Sequence, residues 1–263
     1  MNEIDQITHR IVVMSGKGGV GKTTVTVNLA LTLAERRMSV GLLDADITGP
    51  NIPKMLNIED EFPSADEDLM IPVYLPIGFY HGISVMSMAF LIEKDAAVPW
   101  RGSLRTDAIR QFIEEVRWGT LDYLLVDLPP GTGDEPMSIA QLMDVDGAII
   151  VTTPQDVALL DTRKAVNMAK YLEIPVIGII ENMSGFVCPH CGYTIDLFGK
   201  GGGKRIAEEM DVPFLGSVPL DPLVVSSGDS GIPFVAEIDS KTASSFEEIV
   251  DRVDGFLKTA VPS

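Results

Sequence analysis

Disulfide bonds cannot organise this chain: its 263 residues include only two cysteines, Cys188 and Cys191, in one short segment. Long apolar runs are missing too. The longest, such as Gly147–Val151 and Val176–Ile180, fall far short of the ~20 residues a bilayer-spanning helix needs. The opening Met-Asn-Glu-Ile-Asp-Gln has neither the basic nor the apolar region of a secretory leader, so a cytoplasmic protein is expected. Positive charge is scarce: 20 Lys and Arg stand against 38 Asp and Glu, a formal net charge of −18. Non-specific binding to DNA or anionic lipid depends on clustered Lys and Arg, so neither nucleic acid nor membrane is expected as a partner.

Apolar residues are plentiful, at 46% of the chain, enough for a sizeable core. Short apolar runs alternate with helical patterns, which predicts an α/β fold with a mostly parallel sheet and helices on both faces. Predicted strands are Ile11–Met14, Val40–Asp44, Ile83–Ser87, Tyr123–Asp127, Gly147–Thr152, Val176–Glu181 and Phe214–Ser217. Predicted helices are Lys22–Arg36, Leu104–Arg117, Val157–Leu172, Gly203–Met210 and Ser244–Lys258. No linker, repeat or low-complexity tract divides the chain, so one domain over residues 1–263 is expected.

Directly after the first predicted strand comes Ser15-Gly16-Lys17-Gly18-Gly19-Val20-Gly21-Lys22-Thr23-Thr24. It fits G-x-x-x-x-G-K-[ST], a strand–loop–helix phosphate cradle. The glycines let backbone N–H groups converge on phosphates, because side chains there would block the approach. Lys22 places a point charge on the β/γ-phosphates, and the Thr23 hydroxyl suits Mg²⁺. Open α/β sheets bind ligands at the carboxyl ends of their strands. Asp44 and Asp46 sit there, after the second strand, and Asp127 ends Leu124-Leu125-Val126-Asp127 before Pro129-Pro130-Gly131. An apolar run, an aspartate and a glycine turn read as a Walker B strand, whose carboxylate holds the Mg²⁺ shell. The turn Gly131-Thr132-Gly133-Asp134 would sense the γ-phosphate through its backbone.

The second motif is Phe186-Val187-Cys188-Pro189-His190-Cys191-Gly192-Tyr193. In a reducing compartment, Cys-x-x-Cys reads as a metal or redox motif. Its Cys-Pro-x-Cys-Gly form looks like the metal knuckle of rubredoxins and zinc ribbons, while Cys-Pro-His-Cys is also similar to the active site of periplasmic disulfide oxidases. The redox chemistry needs a helix starting at the first cysteine, and Gly192 follows the pair at once. Structural zinc sites and 4Fe–4S clusters take four protein ligands, and one chain supplies two. A complete site is most economically built on a two-fold axis between two chains.

Lys17 makes the loop resemble the deviant Walker A motif of MinD/ParA/nitrogenase-iron-protein ATPases, in which the early lysine reaches the nucleotide of a partner subunit. With the cysteines, the pattern resembles the Mrp/ApbC branch of this group, iron–sulfur cluster carriers. The pieces run in order over nearly the whole chain: Ser15–Thr24, Asp44–Pro53, Trp100-Arg101-Gly102, Asp122–Pro136, Thr153-Pro154-Gln155, Glu181-Asn182-Met183, Cys188–Cys191 and Gly216–Pro222. The resemblance implies a homodimeric ATPase using ATP and Mg²⁺. It makes Asp46 the residue orienting the attacking water and Asp44 a support on the Mg²⁺ side. Asn182 would face the adenine, flanked by Pro219 and Asp221. Cys188 and Cys191 would share a labile 4Fe–4S cluster with the partner subunit and pass it to apo iron–sulfur proteins, with a scaffold as a possible donor. Some members carry an extra N-terminal domain or cysteine cluster; here the first predicted strand already begins at Ile11, so neither is expected.

Two other features bear on rival readings. Phe198–Arg205 imitates a second phosphate loop, but with short spacing and Arg205 where Ser or Thr is required. A MinD- or ParA-like positioning ATPase with a structural zinc is the main alternative. MinD-type proteins end in a basic amphipathic membrane helix. The terminal helix here has an apolar stripe of Phe246, Ile249, Val250, Val253 and Phe256-Leu257, but its polar face is acidic, so packing on the core is expected.

Overall fold

The computed structural model describes residues 3–47, 49–67, 69–78, 81–91, 102–188, 190–231 and 241–260. Thr48, Trp100, Arg101 and Pro189, all within the motifs above, lie outside the described residues. The first half of the chain forms β1 (Ile7–Met14), α1 (Lys22–Glu35), β2 (Val40–Asp44), α2 (Ile52–Met55), β3 (Ser64–Asp66), β4 (Leu69–Ile71), β5 (Val73–Ile77), β6 (His81–Ser87), α3 (Gly102–Glu114) and β7 (Leu121–Asp127). The second forms α4 (Asp134–Leu142), β8 (Gly147–Thr152), α5 (Asp156–Tyr171), β9 (Val176–Glu181), β10 (Phe186–Val187), β11 (Thr194–Ile195), α6 (Gly202–Met210), β12 (Phe214–Ser217), α7 (Pro222–Ser230) and α8 (Lys241–Ala260).

Eight strands make one sheet in the order β12-β9-β8-β1-β7-β2-β6-β5. Every neighbouring pair is parallel except β5 with β6. The sheet is covered on both faces, which is why its strands read as unbroken apolar runs. In β1, Val12 and Met14 pack with Ile109, Phe112, Ile139 and Val166 on one face. Ile11 and Val13 pack with Leu29, Phe246 and Ile249 on the other. The stripe of α8 is therefore core: Phe246, Ile249, Val250, Val253 and Leu257 are all buried. Its outer acids meet α1, where Arg36 Nε donates to Glu247 at 2.7 Å and Nη1 to Asp251 at 2.8 Å. Among the described residues no helix is long and apolar enough to cross a membrane.

All seven strands expected from the sequence are present and end where expected; β1, β6 and β7 begin earlier, at Ile7, His81 and Leu121. The antiparallel edge strand β5, the β3–β4 and β10–β11 hairpins and helices α2, α4 and α7 were not anticipated.

Candidate functional site

The carboxyl ends of β1, β2 and β7 meet at one point of the sheet. Cα register pairs Val13 with Asp127 and Asp127 with Asp44, so the two carboxylates stand side by side next to the loop that leaves β1. That loop turns into α1 at Gly21, held at φ +79 where glycine carries no steric cost. No side chain caps α1, which leaves the first-turn N–H groups directed into the loop's cavity. A Cβ at Gly16 would lie 2.1 Å from the Asp161 carbonyl of α5, so the loop's start is pressed against that helix.

Asp127 is the hub. Its Oδ2 accepts from Thr23 Oγ1 at 2.7 Å, and its Oδ1 from Thr26 Oγ1 at 2.7 Å. Lys22 Nζ lies 2.7 Å from Asp127 Oδ2 as an ion pair. That ion pair engages one of the ammonium's three donors and leaves the others for an anion. Thr26 was missed from the sequence; its position three after Thr23 on one helix face was the available signal. Asp44 is fully buried and bound elsewhere: its carboxylate accepts from Ser87 Oγ at 2.9 Å and from the N–H groups of Ile52 and Asp46 at 3.2 Å each. Burial, reinforced by Asp127, pushes the Asp44 carboxyl up to about 8. Ser87 was also missed, although it is the polar residue closing an apolar strand.

Two adjoining cavities open here. The smaller, about 230 Å³, is lined by Lys17, Gly18, Gly19, Val20, Gly21, Lys22, Thr23 and Thr24, with Asp46 and Pro130 opposite. Gly131, in the turn after β7, donates its N–H to Ser15 O at 2.8 Å. The larger, about 330 Å³, shares Thr23 and Thr24 and continues past Asn182 to Val218, Pro219, Leu220 and Asp221. Asn182 Nδ2 donates to Val20 O at 2.9 Å, tying the end of β9 to the loop. Asp221 caps α7, accepting from Leu223 N at 2.9 Å and from Thr242 Oγ1 at 2.7 Å. Its carboxylate is thus committed to the wall of this cavity.

The cysteines occupy the tip of the β10–β11 hairpin, in which Phe186 pairs with Ile195 and Val187 with Thr194. Cys188 N donates to Tyr193 O and Gly192 N to Cys188 O, both at 2.9 Å. Gly192 adopts φ +71 to close this turn. The N–H groups of His190 and Cys191, and then the Cys191 side chain, hold the Cys188 thiol below its usual range. Cys191 and His190 are exposed. Among the described residues no group of three or more His, Cys, Asp or Glu gathers as a metal site, so each chain offers this knuckle two sulfurs.

The imitation phosphate loop before α6 is already filled. Gly201 N and Gly203 N donate to the Glu181 carboxylate, at 2.9 Å to Oε1 and 2.5 Å to Oε2. An internal anion occupies the place a phosphate would take.

A strand, a glycine loop, an uncapped helix start and a buried lysine–aspartate pair define a P-loop NTPase site. The chain belongs to the ParA family of NUBPL-type iron-transfer P-loop NTPases, whose model matches residues 6–254. It is 52% identical over 252 residues to an iron–sulfur cluster carrier protein of Methanocaldococcus jannaschii, covering 95% of this chain and 85% of the relative. It is 44% identical over 256 residues to a cytosolic Fe–S cluster assembly factor of Saccharomyces cerevisiae, covering 94% and 87% respectively. Among solved structures it is similar to a nucleotide-binding protein of Archaeoglobus fulgidus in complex with ADP, in which cobalt was found. That match has a TM-score of 0.78 and 40% identity, covering 90% of this chain and 92% of the other. The relatives do not favour a positioning ATPase.

Proposed function

We propose that this chain is an ATP-hydrolysing carrier that holds a 4Fe–4S cluster between the cysteine pairs of two copies and delivers it to apoproteins. The observation that carries this reading is an incomplete metal knuckle, two sulfurs per chain, on the same α/β unit as a P-loop. Four thiolates complete a cluster site, and a symmetric pair supplies them. The relatives named as cluster carriers or assembly factors support it. So does the apolar surface around the knuckle, where Tyr193, Ile195, Leu197 and Phe198 are exposed, as a face for a second copy.

ATP phosphates would sit in the smaller cavity, against the loop N–H groups and Lys22, with the base in the larger one beside Asn182, Pro219 and Asp221. The oxygen donors at Thr23 and Asp127 fit Mg²⁺, with Asp44 behind them supporting the adjoining loop. When bound, Mg²⁺ neutralises charge on the phosphates. Asp46, at the cavity's edge, would orient the attacking water, and Lys17 would reach the nucleotide of the partner subunit. The whole chain is read as one domain acting in the cytoplasm, where thiols stay reduced.

Anaerobic iron–sulfide reconstitution tests the reading, with iron, sulfide and oligomeric mass measured on one sample. Four irons and four sulfides per dimer are expected, lost in Cys188→Ser and Cys191→Ser. One zinc per dimer with no stable cluster would overturn it in favour of a regulatory ATPase with a structural metal.

A further inference from the structure

Glu181 has no part in the roles above, yet it is fully buried between the two sites. The cysteine-bearing excursion leaves the sheet at Glu181 and returns at α6. Its departing side is bound by Ser184 Oγ, which donates to Glu181 Oε1 at 2.5 Å. Its returning side is bound through the N–H groups of Gly201 and Gly203. One carboxylate clasps both feet of the excursion.

The departing foot is also fixed to the nucleotide cavities. Asn182 donates to the P-loop at Val20 O, and a Cβ on Gly21 would come within 2.2 Å of its Nδ2. On the other side Val218 N donates to Glu181 O at 2.8 Å, Ser184 N to Val218 O at 2.9 Å, and Leu220 N to Gly185 O at 2.8 Å. Val218 and Leu220 belong to the wall of the 330 Å³ cavity. A ligand that shifts this wall shifts the root of the hairpin through backbone bonds.

We infer that Glu181 is a positioning residue that couples nucleotide occupancy to the geometry of the cysteine knuckle. It keeps the returning foot in step with the departing one, so the hairpin moves as a unit and does not hinge at Ser184. This rests on the reading of the two cavities as the nucleotide site. Coupling of this kind is reciprocal in equilibrium binding: the factor by which nucleotide changes ligand affinity at the thiols is the factor by which that ligand changes nucleotide affinity.

The test uses the full-length, metal-free, reduced protein. The rate of iodoacetamide alkylation at Cys188 and Cys191 is followed by mass spectrometry, with and without saturating Mg-ADP. ADP is expected to change the rate by at least about fivefold in the parent, the lower end of ordinary coupling. In Glu181→Gln the amide keeps one acceptor and turns a donor toward a glycine N–H, releasing one foot. The ratio should fall below about twofold while calorimetric ADP affinity stays within about threefold. A purely structural role would change both rates together and leave their ratio intact. Should Glu181→Gln fail to fold, Ser184→Ala removes one of the three bonds and is expected to lower the ratio part of the way.

A parent rate indifferent to ADP, or an undiminished ratio in the folded variant, overturns the coupling. If the parent reconstitutes a cluster but its alkylation ignores ADP, this inference alone fails. If ADP alters alkylation but no cluster is held, the coupling stands and the carrier reading fails.

Discussion

Asp44 and Asp127 are register partners at the ends of adjacent parallel strands, and both are completely buried. Their surroundings differ. Asp127 has an ammonium and two hydroxyls, whereas Asp44 has one hydroxyl and two backbone N–H groups. Burial, reinforced by the charge of the adjacent Asp127, keeps the proton on Asp44 up to about pH 8.

The sign of the resulting pH dependence is fixed. The folded state retains a proton that the unfolded chain releases near pH 4, so the Asp44 contribution is fully present below pH 4 and is lost as pH rises toward 8. The slope reaches up to about 1.4 kcal/mol per pH unit. Asp44→Asn should flatten it in urea titrations of the nucleotide- and metal-free protein at pH 5 and 8. An unaltered slope would place the proton elsewhere.

Gly21→Ala forces a left-handed backbone on a residue with a Cβ and drives that Cβ into the Asn182 amide. The backbone alone costs about 1–2 kcal/mol. Displacing the amide from Val20 O should also weaken ADP binding, by roughly tenfold or about 1.4 kcal/mol in calorimetry. Gly19→Ala has the same backbone handedness but nothing within 4 Å among the described residues, so it should show the stability loss without a comparable collision.

Lys17 lines the smaller cavity but lies outside the Lys22–Asp127 ion pair. Lys17→Ala should leave ADP affinity of the isolated chain within about threefold, since a half-buried, solvent-screened charge outside the ion pair contributes little. Dimer formation with a non-hydrolysable ATP analogue, read by light scattering, should be lost. A variant that still dimerises on nucleotide would remove the cross-subunit role of this lysine.

Phe246 joins α8 to the sheet and has no exposed surface. Phe246→Ala should destabilise by about 3–5 kcal/mol, the range for a core aromatic replaced by alanine. A loss below about 1 kcal/mol in chemical denaturation would mean that α8 is not part of the cooperative core.

The sequence made the central strands legible because strands buried on both faces are continuous apolar runs, ending at Asp44, Asp127 and Glu181, where polar chemistry begins. The P-loop spacing and the lone cysteine pair were equally direct. Strand β5 was hidden by Pro76 and by its half-exposed alternation at the sheet edge. Helix α2 is one turn long, and α7 carries three Ser and a Gly in nine residues, so neither leaves a periodic trace. The clasp at Glu181 joins residues about twenty positions apart through a carboxylate and two N–H groups. No pattern of side-chain hydrophobicity encodes such a bond.

The strands beneath the cysteines are two residues each, and a hairpin of that size is marginal by itself. A metal held at its tip would meet a grip that is firm only while anchored below and bridged above. Thiolates arriving from another protein could then replace the sulfurs one at a time, each new bond forming as an old one lets go. In the carrier proposed above, hand-over would proceed by exchange, with no moment at which the cargo is left bare.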